Sequence, residues 1–316
     1  MANATPSFLG KANNSGDDNA LFLKLFSGEV LSAFARANKM LPMTTVRTIA
    51  NGKSATFPLV GTATAEYHVA GAEITGNVIN ANEKVITIDD LLIAHSFVSE
   101  IDELKNFYDI RQIYSKELGE ALARKVDDHL LQLAVLGARS SGLVSGRSGG
   151  SVITDADANT NAGSLIDSIF EGAEDLDNNS VPENDRFCVV SPDIYYKIVN
   201  NDKILNRDFG GVNGVYADGT VLKVAGINIV KSTATATAFT NLSSASTTGH
   251  NNTYTGNFST TVAVIFHKSA IGSVKLMDLK MDTEFDLRRS GTLMVGKMAM
   301  GSGFLRPEAM VEIKTS

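Results

Sequence analysis

Three short glycine motifs are the places in this 316-residue chain where residue types and spacing could support catalysis or phosphate binding. Residues 146–150, GRSGG, match G-x-S-x-G, in which the serine is a nucleophile on a sharp turn between a strand and a helix. The preceding residues are loop-like and SVITDADANT, which follows, lacks a helical pattern, so that turn is not predicted. GKS at 52–54 would need a glycine at Arg47 to form a phosphate loop, and GSGFLR at 301–306 lacks the third glycine of a dinucleotide-binding loop. These motifs therefore do not predict an enzyme.

Residues that bind metals or act as nucleophiles are scattered along the chain. The five histidines have neither H-x-x-H nor H-E-x-x-H spacing, so no zinc site is predicted. Aspartates at 89–90, 127–128 and 155/157 could hold a cation, but solvated helix ends and turns are the commoner use of such clusters. The single cysteine, Cys188 in RFCVV, cannot form an intrachain disulfide; a buried structural thiol is favoured and a catalytic thiol is the alternative. No catalytic, cofactor-binding or metal-binding residue is predicted.

Composition narrows the classes of function further. A net charge of −7 argues against a protein whose main task is to grip nucleic acid, although weak contact is compatible with it. Hydrophobic residues make up 43% of the chain, enough for a substantial core. The first residues lack the basic and apolar parts of a signal peptide, and charges interrupt the apolar stretch 20–37. We therefore expect folding in a cytoplasm and no membrane span.

Helical patterns occur in several places, including a short one at 99–107. Residues 20–38 repeat Phe and Val at four-residue spacing, which fits either a helix on its own core or one at the end of an arm that docks on a neighbour. Residues 109–136 predict a long amphipathic helix of ~40 Å. Shorter helices are predicted at 164–178, with Phe170 on the apolar face, and at 192–201.

Strand patterns surround these helices. Two strands at 44–62 and 83–98 enclose a polar tip and predict a long hairpin that runs through EKVITIDDLL towards the long helix. Because a two-stranded ribbon is marginal in water, the hairpin needs another surface, and a neighbouring subunit is a candidate. Residues 233–257 predict a surface excursion. Further strands are predicted at 186–191, 221–230, 261–266, 273–289, 294–300 and 310–314, so the fold class is α+β.

Several segments, in order along nearly the whole chain, resemble the major capsid proteins of T7-like tailed bacteriophages. They are ALFLKLFSGEVLSAFAR, GKSATFP, EKVITIDDLL, YDIR with LGEALA, VPENDR, HKSAIGSVKLMDL and MGSGFLRPEA. The resemblance implies the HK97-like capsid fold and a shell of hexamers and pentamers with T=7 geometry. The implied parts are an N-terminal arm with a helix (1–41), an extended E-loop hairpin (42–98), a peripheral domain with a spine helix (99–145) and C-terminal strands (263–316), and an axial domain (146–262). The glycine-rich loop 206–220 would lie near the capsomer centre.

The resemblance also implies partners and contacts. The partners would be further copies of the chain, a scaffolding protein, a portal protein, packaged double-stranded DNA in weak contact, and decoration proteins in some relatives. The protein would reside in the virion after assembly in a bacterial cytoplasm. Candidate inter-subunit contacts, each with an intrachain alternative, are Arg47, Lys53, Phe57, Glu73, Arg306 and Glu308. We predict no covalent cross-link between subunits. The alternatives are another phage structural protein, such as a tail-tube subunit, or a soluble α+β enzyme.

Overall fold

The computed structural model describes residues 38–71, 73–101, 110–201, 214–215, 220–221 and 223–316. The predicted arm helix at 20–38 and most of the loop 206–220 lie outside the described residues. The helices are α1 (Ile110–Ala138), α2 (Ala162–Asn178), α3 (Pro192–Val199) and the single turn α4 (Thr235–Ala238). The strands are β1 (Thr45–Thr48), β2 (Ser54–Val60), β3 (Ala81–Thr87), β4 (Leu92–Ser99), β5 (Ser151–Thr154), β6 (Arg186–Val190), β7 (Gly214–Val215), β8 (Thr220–Val221), β9 (Lys223–Val224), β10 (Ile227–Lys231), β11 (Thr261–His267), β12 (Ile271–Asp286), β13 (Gly291–Phe304) and β14 (Met310–Lys314).

The chain divides into two compact units. One contains residues 89–126 and 277–300, and the other contains 39–88, 127–276 and 301–316. A six-stranded sheet of order β5-β14-β11-β6-β10-β9 forms the centre of the second unit. Strand β11 is buried almost throughout, as its continuous apolar sequence predicts. Helix α2 lies on this sheet, and Gly172 allows the close approach because a Cβ there would lie 2.8 Å from Ile265 Cδ1.

The side of α2 that packs on the sheet differs from the predicted one. Its buried stripe is centred on Leu165, Ile169, Gly172 and Leu176. Phe170 lies about 100° away from Ile169 around the helix and is 55% exposed, so its predicted place on the apolar face is wrong.

Helix α1 has 29 residues and spans about 43 Å. The long helix predicted at 109–136 is therefore confirmed. Its last part is less amphipathic than predicted, because residues 130–135 are all buried. Asp127, whose expected use was a solvated helix end or turn, is also buried, and its carboxylate accepts hydrogen bonds from the backbone N–H groups of Lys39 and Met40.

The two long strands predicted at 44–62 and 83–98 are wrong as continuous strands. Each breaks into two, because Gly52 at φ +121° redirects the first and residues 88–91 interrupt the second. Strands β2 and β3 form the hairpin, with Ser54 opposite Thr87 and Val60 opposite Ala81. In a four-stranded sheet of order β1-β12-β13-β4, β1 runs parallel to β12 and β4 pairs antiparallel with β13. The hairpin is therefore shorter than predicted.

Residues 233–257 are only partly a surface excursion, so that prediction is also corrected. Tyr254 is buried, and the amide groups of Asn251 and Asn252 donate hydrogen bonds to the carbonyls of Ile88 and Thr87, both at 2.7 Å. These bonds satisfy two backbone acceptors at the end of β3. Polar residues of this segment thus form contacts within the protein as well as with solvent.

Candidate functional site

The tip of the β2–β3 hairpin is the most unusual surface of the described chain. Residues 62–71 and 73–80 are all exposed. This stretch carries five large apolar side chains that are more than half exposed: Tyr67, Val69, Ile74, Val78 and Ile79. Burying one such side chain gains about 1.5–3 kcal/mol. The tip is therefore a surface that gains stability when a partner covers it.

The neck of the hairpin, strands β2 and β3, lies against its own chain. Ala55 and Ile86 point into the core of the second unit, and the amide of Ile88 donates to the carbonyl of Lys53 at 2.9 Å. The ammonium of Lys84 lies 4.7 Å from the centre of the Phe304 ring, within the range of a cation–π contact. The hairpin was expected to need another surface to rest on. The neck finds that surface on its own chain, whereas the tip remains exposed.

The predicted contact residues of the hairpin occupy different positions. Arg47 is exposed on β1, and its guanidinium donates to the Thr56 carbonyl of the neck at 3.0 Å. Lys53 and Glu73 are exposed, at the root and in the tip respectively, and Phe57 is half-buried. The structure therefore does not bring these four residues into one site, and their contact with another subunit stays a prediction.

Arg306 and Glu308 belong to an intrachain cluster. Glu308 is 3% exposed. Its Oε1 accepts hydrogen bonds from Arg306 Nε at 2.9 Å and from Arg147 Nη1 at 3.3 Å. Arg306 also donates to the Ser269 hydroxyl at 3.4 Å. These contacts match the intrachain alternative, and a role between subunits stays a prediction for this pair.

The carboxylates at 155 and 128 also hold chain segments together. Asp155 accepts hydrogen bonds from the hydroxyls of Ser164 and Ser168 at 2.6 and 3.0 Å, and chiefly the Ser164 bond lowers the pKa of this carboxyl. Asp128 accepts from Thr237 at 2.7 Å. Asp155 therefore fastens the loop after β5 to α2, and Asp128 fastens α1 to α4.

The other residues considered for chemistry have packing roles. Ser148 of GRSGG lies in a loop that leads into β5, and its hydroxyl donates to Asn179 Oδ1 at 2.5 Å. His129 stacks on the ring of Tyr254 at 4.2 Å. Burial raises the pKa of the Cys188 thiol to about 12, as expected for the structural thiol that was predicted.

Sequence reasoning missed Arg147, which is one of the residues that matter most for the hairpin. Its Nε donates to the Val60 carbonyl at the outer end of β2, at 2.9 Å. The only signal was the GRSGG motif, which was weighed as a catalytic motif and not as a glycine-rich packing motif. Arg139, whose guanidinium pairs with the buried Glu312, carried no sequence signal, because the two residues are 173 positions apart.

Among the described residues, no helix combines the length and the apolar character that crossing a membrane requires. Residues 56–314 match the Gp10A-like family, described as major capsid protein. The chain is 33% identical to the major capsid protein of Enterobacteria phage T3, over 95% of this chain and 93% of that protein. It is similar to the capsid structure of cyanophage P-SCSP1u, with a TM-score of 0.82, 43% identity and coverage of 100% of this chain and 99% of that one. The mature capsid protein of bacteriophage PhiM1 shares the fold, with a TM-score of 0.74 and 20% identity over 98% of this chain and 97% of that one.

The α+β chain, with its long helix α1 and its β2–β3 hairpin, shares its overall fold with solved phage capsid structures, and it is therefore a capsid shell protein with the HK97-like fold. The chain belongs to the Gp10A-like family of major capsid proteins of tailed bacteriophages. This result supports the capsid interpretation over the tail-tube and enzyme alternatives.

Proposed function

We propose that this chain assembles into hexamers and pentamers of an icosahedral, T=7 shell that encloses the double-stranded DNA of a tailed phage. The exposed apolar tip of the hairpin is the observation that carries the proposal. In a monomer the five apolar residues of the tip are exposed to water, which is unfavourable. In a shell, a neighbouring subunit covers them, and their burial stabilises the contact. Many such contacts, each weak alone, become strong together when the shell closes.

The parts of the chain have separate roles in this proposal. Residues 1–41 form the arm, 42–98 the hairpin region, 99–145 and 263–316 the peripheral domain, and 146–262 the axial domain. Within the hairpin region, the segment that reaches outward is the tip at 62–80. Strands β1 and β4 pair with β12 and β13, and the neck packs on the body of its own chain through Ala55 and Ile86.

The proposed partners are a scaffolding protein and a portal protein during assembly in the bacterial cytoplasm, packaged DNA, and decoration proteins where the phage has them. With a net charge of −7, the chain suits a container that holds its DNA without binding it tightly. A strongly basic inner surface would slow the entry and release of the genome.

Negative-stain microscopy of the full chain, expressed with and without a scaffolding protein, tests the proposal. We expect closed shells with the scaffold. Replacing three tip residues (Tyr67→Ser, Ile74→Ser and Val78→Ser) should leave the chain folded and abolish the shells, because the contact area on the neighbour is lost.

The matched control replaces two exposed large apolar residues outside the tip, Phe170→Ser and Leu287→Ser, and is compared with the two-residue tip variant Ile74→Ser and Val78→Ser. The control should assemble better than the tip variant. If the wild-type chain yields only monomers under both conditions, the shell proposal is wrong. If the tip variant forms normal shells, the tip does not carry the contact.

A further inference from the structure

The loop at 142–147, GLVSGR, contacts the hairpin at the outer end of its neck, and we name this loop the clasp. Three hydrogen bonds join the two. Arg147 Nε donates to the Val60 carbonyl at 2.9 Å, Asn82 Nδ2 donates to the Leu143 carbonyl at 2.7 Å, and the Thr62 hydroxyl donates to the Gly146 carbonyl at 3.3 Å. Both strands of the hairpin are therefore held where β2 ends and β3 begins.

The fit between the clasp and the neck depends on two glycines. Gly61 lies so close to the clasp that a Cβ there would be 2.9 Å from the Ser145 carbonyl oxygen. Gly146 has φ +91°, a conformation that disfavours other residues. A side chain at either position would push the neck away or distort the loop.

The clasp is itself fixed to the body of the second unit. The amide of Gly150 donates to the Ser140 carbonyl at 2.9 Å and closes the base of the loop. The Ser148 hydroxyl donates to Asn179 Oδ1 at 2.5 Å, and Asn179 Nδ2 in turn donates to the Glu308 carbonyl at 3.2 Å. Movement of the clasp would break these bonds.

Arg147 links the neck to the most buried charge of this region. One end of its guanidinium holds Val60, and the other donates to Glu308 Oε1 at 3.3 Å. Glu308 is nearly inaccessible and also accepts from Arg306, so its position is fixed by two cations. A planar guanidinium donates in two directions at once, whereas the single ammonium of lysine cannot reproduce that geometry.

We propose that the clasp sets the direction in which the hairpin leaves the body, with Arg147 as the positioning residue that transmits the fixed position of Glu308 to the neck. The hairpin then has two mechanical parts, a neck held by the clasp and a tip beyond it. Opening the clasp frees the outer end of the neck and the tip to take another direction, while Ala55 and Ile86 still hold the inner end in the body. The inference rests on the proposed function for its purpose, since a subunit must aim its hairpin at a neighbour.

The test measures the direction of the neck in the full chain before assembly. Spin labels are placed on the neck and on α2 through Glu83→Cys and Glu174→Cys, both exposed positions, while the buried Cys188 stays unlabelled. Electron–electron double resonance then gives the distribution of distances between the labels. We expect one narrow distribution in the parent, and a shifted and broadened one after Arg147→Ala.

Two further variants keep the result interpretable. Arg147→Lys retains a cation beside Glu308 and should still broaden the distribution, because the bond to Val60 is lost. Arg289→Ala removes a solvent-exposed arginine that pairs with Asp286 in the other unit, and it should leave the distribution narrow. Near-ultraviolet circular dichroism shows whether each variant is folded.

A narrow, unshifted distribution in folded Arg147→Ala or Arg147→Lys would overturn the inference, as would equal broadening in Arg289→Ala. The measurement is independent of shell formation, which microscopy scores separately. A chain that fails to assemble can therefore still have an intact clasp, and the two proposals can fail separately.

Discussion

Arg139 and Glu312 form the ion pair with the best-satisfied carboxylate among the described residues; Glu312 is fully buried, and Arg139 reaches it from the surface. Both carboxylate oxygens of the fully buried Glu312 accept from the guanidinium at 2.6 Å, and Thr261 adds a third hydrogen bond at 2.5 Å. The hydrogen bond to Glu312 raises the pKa of Arg139, so the cation is held in its charged form. The pair joins the end of α1 to β14 and to β11.

Arg139→Ala should therefore lower the free energy of unfolding by about 3 kcal/mol, because it leaves a buried carboxylate without its cation. Urea denaturation of the unassembled chain measures this loss. The matched change Arg289→Ala, in an exposed pair, should cost only about 0.5 kcal/mol. Equal losses in both variants would show that the burial of Glu312 does not matter.

Cys188 gives a pH dependence of known sign. Burial raises the pKa of its thiol from the ordinary 9.0 to about 12, so the folded chain keeps this proton where the unfolded chain has lost it. The thiol's contribution to stability is therefore complete below pH 9 and is lost as the pH rises towards 12. Over that range the wild-type free energy of unfolding should fall more steeply than that of Cys188→Ala, by up to about 1.4 kcal/mol per pH unit. Parallel urea titrations of the two proteins measure the difference, and identical slopes would contradict it.

At the scale of single elements, each strand of the hairpin neck has one face that packs on its own chain and one face that is exposed. Ile86 is fully buried in the chain, and its neighbour Val85 on the same strand is 47% exposed. Successive side chains of a strand point to opposite faces, so one face packs on the body and the other is free for contact.

Ile86→Ala should accordingly destabilise the unassembled chain by about 3 kcal/mol through the lost methyl groups and the cavity they leave. Val85→Ala should change its stability by less than about 1 kcal/mol. Thermal unfolding, followed by circular dichroism, compares the two variants. A larger loss for Val85→Ala would mean that the observed register of β2 and β3 is wrong.

Helix limits were largely predictable from the sequence because local residues set them. Helix α3 begins where predicted, since Ser191 accepts a hydrogen bond from the amide of Ile194 and Pro192 follows it. Helix α2 begins two residues earlier than predicted, because Asn161 caps it and was not recognised as a cap.

Strand partners were not predictable in the same way. Thr45 of β1 lies beside Gly272, more than two hundred positions further along the chain, and no local pattern specifies such a pairing. The same limit applies to the clasp, in which Arg147 meets Val60 and Glu308 from distant segments. The sequence predicted a polar tip between two strands, but its five exposed apolar side chains were not recognised, and the place where the neck rests required the tertiary fold.

At the scale of the whole molecule, we expect the mature shell to be held by non-covalent contacts. The two lysines of the neck region are Lys53, which is exposed at the root, and Lys84, whose ammonium already lies over the Phe304 ring. Mature particles boiled in detergent should therefore run as a single monomer-sized band on a denaturing gel. A ladder of higher bands would show covalent cross-links between subunits.

The side chains of Asn251 and Asn252 determine where a foreign peptide can be inserted in the serine- and threonine-rich segment. They fix one end of the serine- and threonine-rich segment to the carbonyls that follow the neck, while residues 243–248 stay exposed. A foreign peptide inserted between Ala245 and Ser246 leaves both anchoring amides in place. We expect the same peptide inserted between Asn251 and Asn252 to pull them off the root of the hairpin, so a tolerated insertion point lies only a few residues from a disruptive one.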